Sequence, residues 1–200
     1  MDLLLRRKDF SGSLGILPAA FNPPTIAHLA LAEAGLQHVD EVLFVLPREF
    51  PHKTFEGASL PERVEMTRRV IEPEPRFSLA IADRGLFADI ARESRQVFGQ
   101  VPLSFLCGRD AAERIVTWDY GEPGAFERML REFSLLVASR QGEFEVPEQF
   151  RNAIRCLTMN SLDEVSSSEV RRRIAAREAW QDLVPAAIRE QVEKIYRNQR

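Results

Sequence analysis

The chain has 200 residues, 44% of them hydrophobic and 28% charged, which fits one domain with a substantial core and excludes an intrinsically disordered chain. A formal net charge of −3 argues against a broad nucleic-acid-binding face, so an anionic ligand would need a locally positive pocket. The two cysteines, Cys107 and Cys156, form no CxxC pair and no metal-ligand spacing joins them to the three histidines, which points to a reduced, cytoplasmic setting without disulfides or a metal site.

No run of about 18 apolar residues is present to span a membrane. The opening MDLLLRRKDF puts its apolar residues before its basic ones, the reverse of a secretory leader. The first predicted strand is LGILPAA (14–20), a short apolar run bounded by Ser-Gly and Pro. A helix follows over about 25–37, with Ile26, Leu29, Ala30 and Leu36 on its inner side. EVLFVLP (41–47) is the second strand, and strand–helix–strand in this span is a βαβ unit with parallel strands. SLPERVEMTRRVI (59–71) opens with a Ser cap, a Glu three residues on and Pro in the first turn, the signature of a helix start. RFSLAIA (76–82) is a third strand, 89–98 a helix, VPLSFLCG (101–108) a fourth strand, SLLVASR (134–140) a fifth and CLTMN (156–160) a sixth. Helices near 167–177 and 185–197 close the chain. The alternation predicts a single α/β domain, a Rossmann-like doubly wound parallel sheet with a core at about 14–160 and a C-terminal helical portion at about 166–198. In such a sheet the ligand sits beyond the carboxyl ends of the strands.

The residues after each strand are therefore the candidates. FNPPTIAH (21–28) follows the first, and Thr25 and His28 at i, i+3 share one face of the helix's first turn, where unpaired N–H groups and the dipole favour an anion. The alternative is that Thr25 only caps the helix and His28 only packs. His52 and Lys53 follow the second strand in a Pro-punctuated loop. Asp110 ends the fourth strand with Trp118 eight residues on, and Arg140 follows the fifth. In VSSSEVRRRI (165–174), Ser166 and Glu169 fit a capping box. The box leaves Ser167, Ser168 and Arg171 unexplained, a set that suits a polyphosphate; Arg172 and Arg173 read as a solvated face. There is no P-loop and no GxGxxG.

F-N-P-x-T-x-x-H-L and V-S-S-S-x-x-R resemble the two signatures of the nicotinate/nicotinamide mononucleotide adenylyltransferases of the nucleotidylyltransferase superfamily. PHK after the second strand, GxD with its Trp, S-R-x-G after the fifth strand and LVP (183–185) fall in the family's order, over about residues 14–197. The resemblance implies that His28, with Thr25, Arg171 and Lys53, carries the chemistry. It implies ATP binding by Ala20, Phe21, Asn22, Thr25, His28, Gly108, Asp110, Ser166, Ser167, Ser168 and Arg171. Lys53, Phe87, Trp118 and Arg140 would meet the second substrate, Trp118 by stacking on its pyridine ring. ATP would be a substrate, with Mg²⁺ carried on its phosphates rather than in a protein cage. The partners implied are small molecules, with no nucleic acid and no membrane; a homo-oligomer is allowed and not required.

Two departures bear on this expectation. Where the family reads G-G-[ST]-F before the first signature, this chain has Pro18-Ala19-Ala20-Phe21, and proline removes an N–H while each alanine adds a methyl. Where nicotinate-type members read S-Y-T-x-D, the chain has Gly85-Leu86-Phe87-Ala88-Asp89, so only Asp89 matches. A different phosphorylated acceptor, or nucleotide binding without turnover, are the competing readings.

Overall fold

The computed structural model describes residues 1–7, 12–49, 57–118, 121–138, 144–159, 162 and 164–197. The strands are β1 (Asp2–Leu5), β2 (Leu14–Pro18), β3 (Glu41–Glu49), β4 (Phe77–Arg84), β5 (Leu103–Gly108), β6 (Ser134–Ala138) and β7 (Ile154–Leu157). The helices are α1 (Ile26–Gly35), α2 (Leu60–Ile71), α3 (Phe87–Phe98), α4 (Arg109–Thr117), α5 (Ala125–Leu130), α6 (Ser167–Ala176) and α7 (Arg189–Arg197). One sheet runs in the order β1-β4-β3-β2-β5-β6-β7. All neighbours are parallel except β1, which lies antiparallel on β4. Strand order reverses between β2 and β5, the switch point of a doubly wound sheet.

Both faces are covered, as the near-continuous apolar strands require. Along β3 the buried side chains alternate. Val42, Phe44 and Leu46 meet Ala27 and Leu31 of α1, Met66 and Val70 of α2, Val170 of α6 and Val192 of α7. Leu43 and Val45 face Ile90 of α3, Ala112 of α4 and Phe126 of α5. The expected elements are present with ends shifted by a few residues, the sixth strand beginning earlier, at Ile154. Three elements were not anticipated. The apolar opening forms β1, secured where Arg6 grips buried Glu41 through two nitrogens at 2.8–3.1 Å. Helices α4 and α5, of nine and six residues, are too short for a helical period to announce itself.

The switch point is opened by a specific residue. Leu14 donates its N–H toward β5, to Pro102 O, and Ala19 donates toward β3, to Val45 O. Successive N–H groups of a strand alternate sides, so position 18 is the next that would donate to β5. Pro18 has no N–H to give. Pairing of β2 with β5 stops at Ile16–Phe105, while β2 continues on β3 as far as Pro18–Val45 and β5 continues on β6 as far as Gly108–Ala138. The two strands part beyond Ile16, and the first signature lies in the gap.

Candidate active site

From Pro18 the chain enters α1 through an irregular loop. Phe21 takes φ +47°, with a cis bond between Asn22 and Pro23. A non-glycine residue in the left-handed region is held there only when its surroundings over-determine it. Here they do: the Phe21 ring is 1% exposed and packs against Phe44 and edge-on to His28 at 5.1 Å. The loop's carbonyls are taken by side chains from the covering helices. Arg63 Nη1 of α2 donates to Ala20 O at 2.9 Å, Arg171 Nη1 of α6 to Asn22 O at 2.5 Å, and Ser167 Oγ to Pro23 O at 2.8 Å.

Thr25 is the N-cap of α1 and fully buried. Its backbone N–H donates to Nδ1 of His28 at 3.1 Å, and its hydroxyl lies 2.8 Å from the same nitrogen. A backbone N–H can only donate, so Nδ1 must accept and the ring proton sits on Nε2. Thr25 thus does more than cap. It fixes the tautomer of His28, which is half-buried, in the first turn of a helix whose orphan N–H groups favour anions.

The second signature meets the first across the gap. Ser166 caps α6, its hydroxyl accepting from Glu169 N at 3.1 Å. The expected capping box is only half made, because the Glu169 carboxylate binds Arg172 and Arg173 instead. Those two cations hold its pKa down to about 2. Ser168 Oγ accepts from Arg171 Nη2 at 3.4 Å, so one guanidinium spans both signatures. Gly108 caps α4 at the end of β5, and Asp110 is exposed in that helix's first turn. Neighbouring Cys107 is buried, which pushes its thiol up to about 12 and removes it as a nucleophile.

The structure brings together Ala20, Phe21, Asn22, Thr25, His28, Ser166, Ser167, Ser168 and Arg171 at one end of the sheet. Gly108 and Asp110 lie at the end of β5. The Asn22 side chain, though, is 3% exposed and turned inward, its Oδ1 accepting from Ala58 N–H and the Tyr196 hydroxyl. Phe87 also turns inward, stacking on Phe105 at 4.3 Å. Two large apolar side chains on this side are exposed: Leu86, the N-cap of α3, at 53%, and Trp118, the C-cap of α4, at 52%. His52, Lys53 and Arg140 fall outside the described residues. Arg63 and Tyr196 were not anticipated. Each sits on an inward stripe, Arg63 with Met66, Thr67 and Val70 on α2, and Tyr196 with Val192 on α7 and with Ile188 just before that helix. A polar-tipped side chain on such a stripe must find a partner, and that was the signal available. No group of three His, Cys, Asp or Glu that could hold a metal occurs among the described residues, and none of their helices is long and apolar enough to cross a membrane.

The cytidylyltransferase-like family model matches residues 16–173. A Thermus thermophilus protein named a probable nicotinate-nucleotide adenylyltransferase is 31% identical over 92% of this chain and 99% of its own length. A protein of the same name from Exiguobacterium sibiricum is 27% identical over 90% and 96%. Among solved structures, Plasmodium falciparum nicotinic acid mononucleotide adenylyltransferase complexed with NaAD superposes with a TM-score of 0.71, covering 94% of this chain and 98% of that one at 18% identity.

Proposed function

The chain belongs to the cytidylyltransferase-like family, in its nicotinate-nucleotide adenylyltransferase branch, and on that premise we propose that its substrates are Mg²⁺–ATP and nicotinate mononucleotide. It is a nucleotidyltransferase of NAD biosynthesis. The observation that carries the mechanism is the Thr25–His28 pair at the opened switch point, with Arg171 reaching the same loop from α6. A phosphate oxygen of the mononucleotide attacks the α-phosphorus of ATP, a P–O bond forms, and pyrophosphate departs. The nucleophile is already an anion, so the protein supplies position and charge rather than a covalent intermediate.

The Nε2–H of His28 is a preorganised donor for charge that grows on the transferring phosphoryl group. Arg171 and the N–H groups opening α1 and α6 hold the remaining phosphate oxygens. Asp110, an exposed carboxylate in the first turn of α4, would help to hold Mg²⁺ carried on the nucleotide's phosphates. Bound there, Mg²⁺ would neutralise charge on the phosphates while keeping most of its own waters. Lys53 and Arg140 add positive charge for the mononucleotide, and Trp118, 52% exposed, is the aromatic that would meet its pyridine ring.

The test is pyrophosphate release with ATP, Mg²⁺ and either nicotinate or nicotinamide mononucleotide. Turnover is expected to be faster with the acid, and His28→Ala to lower kcat by about 10²–10³. Wild-type rates at background with both mononucleotides would sink the assignment. A clear preference for the amide would move the substrate and leave the reaction class intact, and the altered 85–88 segment is where that change would originate.

A further inference from the structure

We propose that Tyr196, in the C-terminal helix, is a positioning residue that sets His28 through the Asn22 amide. The inference rests on the adenylyl-transfer reading for its effect on rate. Tyr196 is 7% exposed and its hydroxyl donates to Asn22 Oδ1 at 2.6 Å. The Ala58 N–H donates to the same oxygen at 3.1 Å. Gly57, at φ +116°, presses on both: a Cβ there would lie 2.8 Å from Asn22 Oδ1 and 3.2 Å from the Tyr196 ring. Asn22 is therefore fixed from three sides: its side-chain amide from α7 and from the segment entering α2, and its backbone carbonyl by Arg171 of α6. Burial pushes the Tyr196 phenol up, so it remains a donor at any working pH.

The setting of Asn22 passes to His28 with little slack. Between Asn22 and Thr25 stand only Pro23 and Pro24, whose rings fix φ, and Ser167 ties down the Pro23 carbonyl. Thr25 in turn holds Nδ1 of His28 through its N–H and hydroxyl. A shift of the amide moves Thr25, and Thr25 decides which imidazole nitrogen keeps the proton. Tyr196 need not touch substrate to act on the reaction.

Tyr196→Phe removes the hydroxyl and leaves the ring to fill its place. The full-length variant is compared with wild type by histidine ¹⁵N–¹H spectroscopy, with His28→Gln assigning the resonance, and by steady-state kinetics. In the folded variant the Nε2–H tautomer of His28 is expected to give way to a mixture. The turnover number is expected to fall about tenfold to a hundredfold while the KM for ATP changes less than about threefold. A role in stability alone would lower the melting temperature and leave both readouts at wild-type values. An unaltered His28 spectrum overturns the inference, and so does a kcat within about twofold of wild type. If Tyr196→Phe does not fold, Gly57→Ala loads the same amide from the other side and is judged by the same readouts. Absence of wild-type turnover would refute the adenylyl-transfer reading alone, and the His28 spectrum would then decide the positioning role.

Discussion

A histidine in the first turn of a helix is ordinary; one whose Nδ1 is claimed by the N-cap backbone is committed to a single tautomer. Arg171 is similarly constrained, one nitrogen on Asn22 O and another on Ser168 Oγ. A lysine there keeps the charge and loses the planar fork that reaches both. Arg171→Lys is accordingly expected to raise the KM for ATP by about tenfold, equivalent to about 1.4 kcal/mol, with a smaller loss in kcat, measured by varying ATP at saturating mononucleotide. Residue types and spacing made Thr25, His28, the three serines and Arg171 legible, because phosphate chemistry uses few side chains and helix starts are easy to find. Asn22 was legible as a position and not as a role. Which way its amide turns depends on Ala58 and Tyr196, which lie 36 and 174 residues away in the chain.

Strands written as short continuous apolar runs and helices with marked caps were readable with no knowledge of their neighbours. Ser59 illustrates why: its reciprocal bonds with Glu62 are complete within four residues. β1 escaped because an edge strand of four residues is defined by the sheet it joins. Element packing also sets a close approach at Gly35, the last residue of α1, where a Cβ would lie 2.3 Å from Leu106 Cδ2. Leu106 is fully buried and has no room to retreat. Gly35→Ala would gain about 1 kcal/mol in helix propensity against an overpacking cost of about 1–3 kcal/mol. A net loss of up to about 2 kcal/mol is expected, seen as a fall in melting temperature of up to about 8 °C.

Across the whole molecule the two faces of the sheet differ in what they carry. One face holds α1, α2, α6 and α7, the helices that supply the loop's partners, and the other is apolar packing beneath α3, α4 and α5. The cysteines report on this frame: Cys107 is buried and Cys156 exposed. In the native protein a thiol reagent is expected to modify Cys156 only, with Cys107 reacting after unfolding. Burial raises the Cys107 pKa from 9 to about 12, so the neutral thiol's contribution to stability is complete below pH 9 and lost as pH rises through about 12. Unfolding at high pH should therefore track appearance of the Cys107 thiolate, followed by its ultraviolet absorbance. The bond from Tyr196 to Asn22 spans 174 residues, and that separation has a temporal meaning during synthesis. A ribosome-bound chain that has exposed its first signature, its switch point and even α6 still lacks the hydroxyl that seats Asn22. At about 5–20 residues per second, the loop waits on the order of ten seconds or more for this partner to be made, so competence arrives with α7 rather than growing with the length already built.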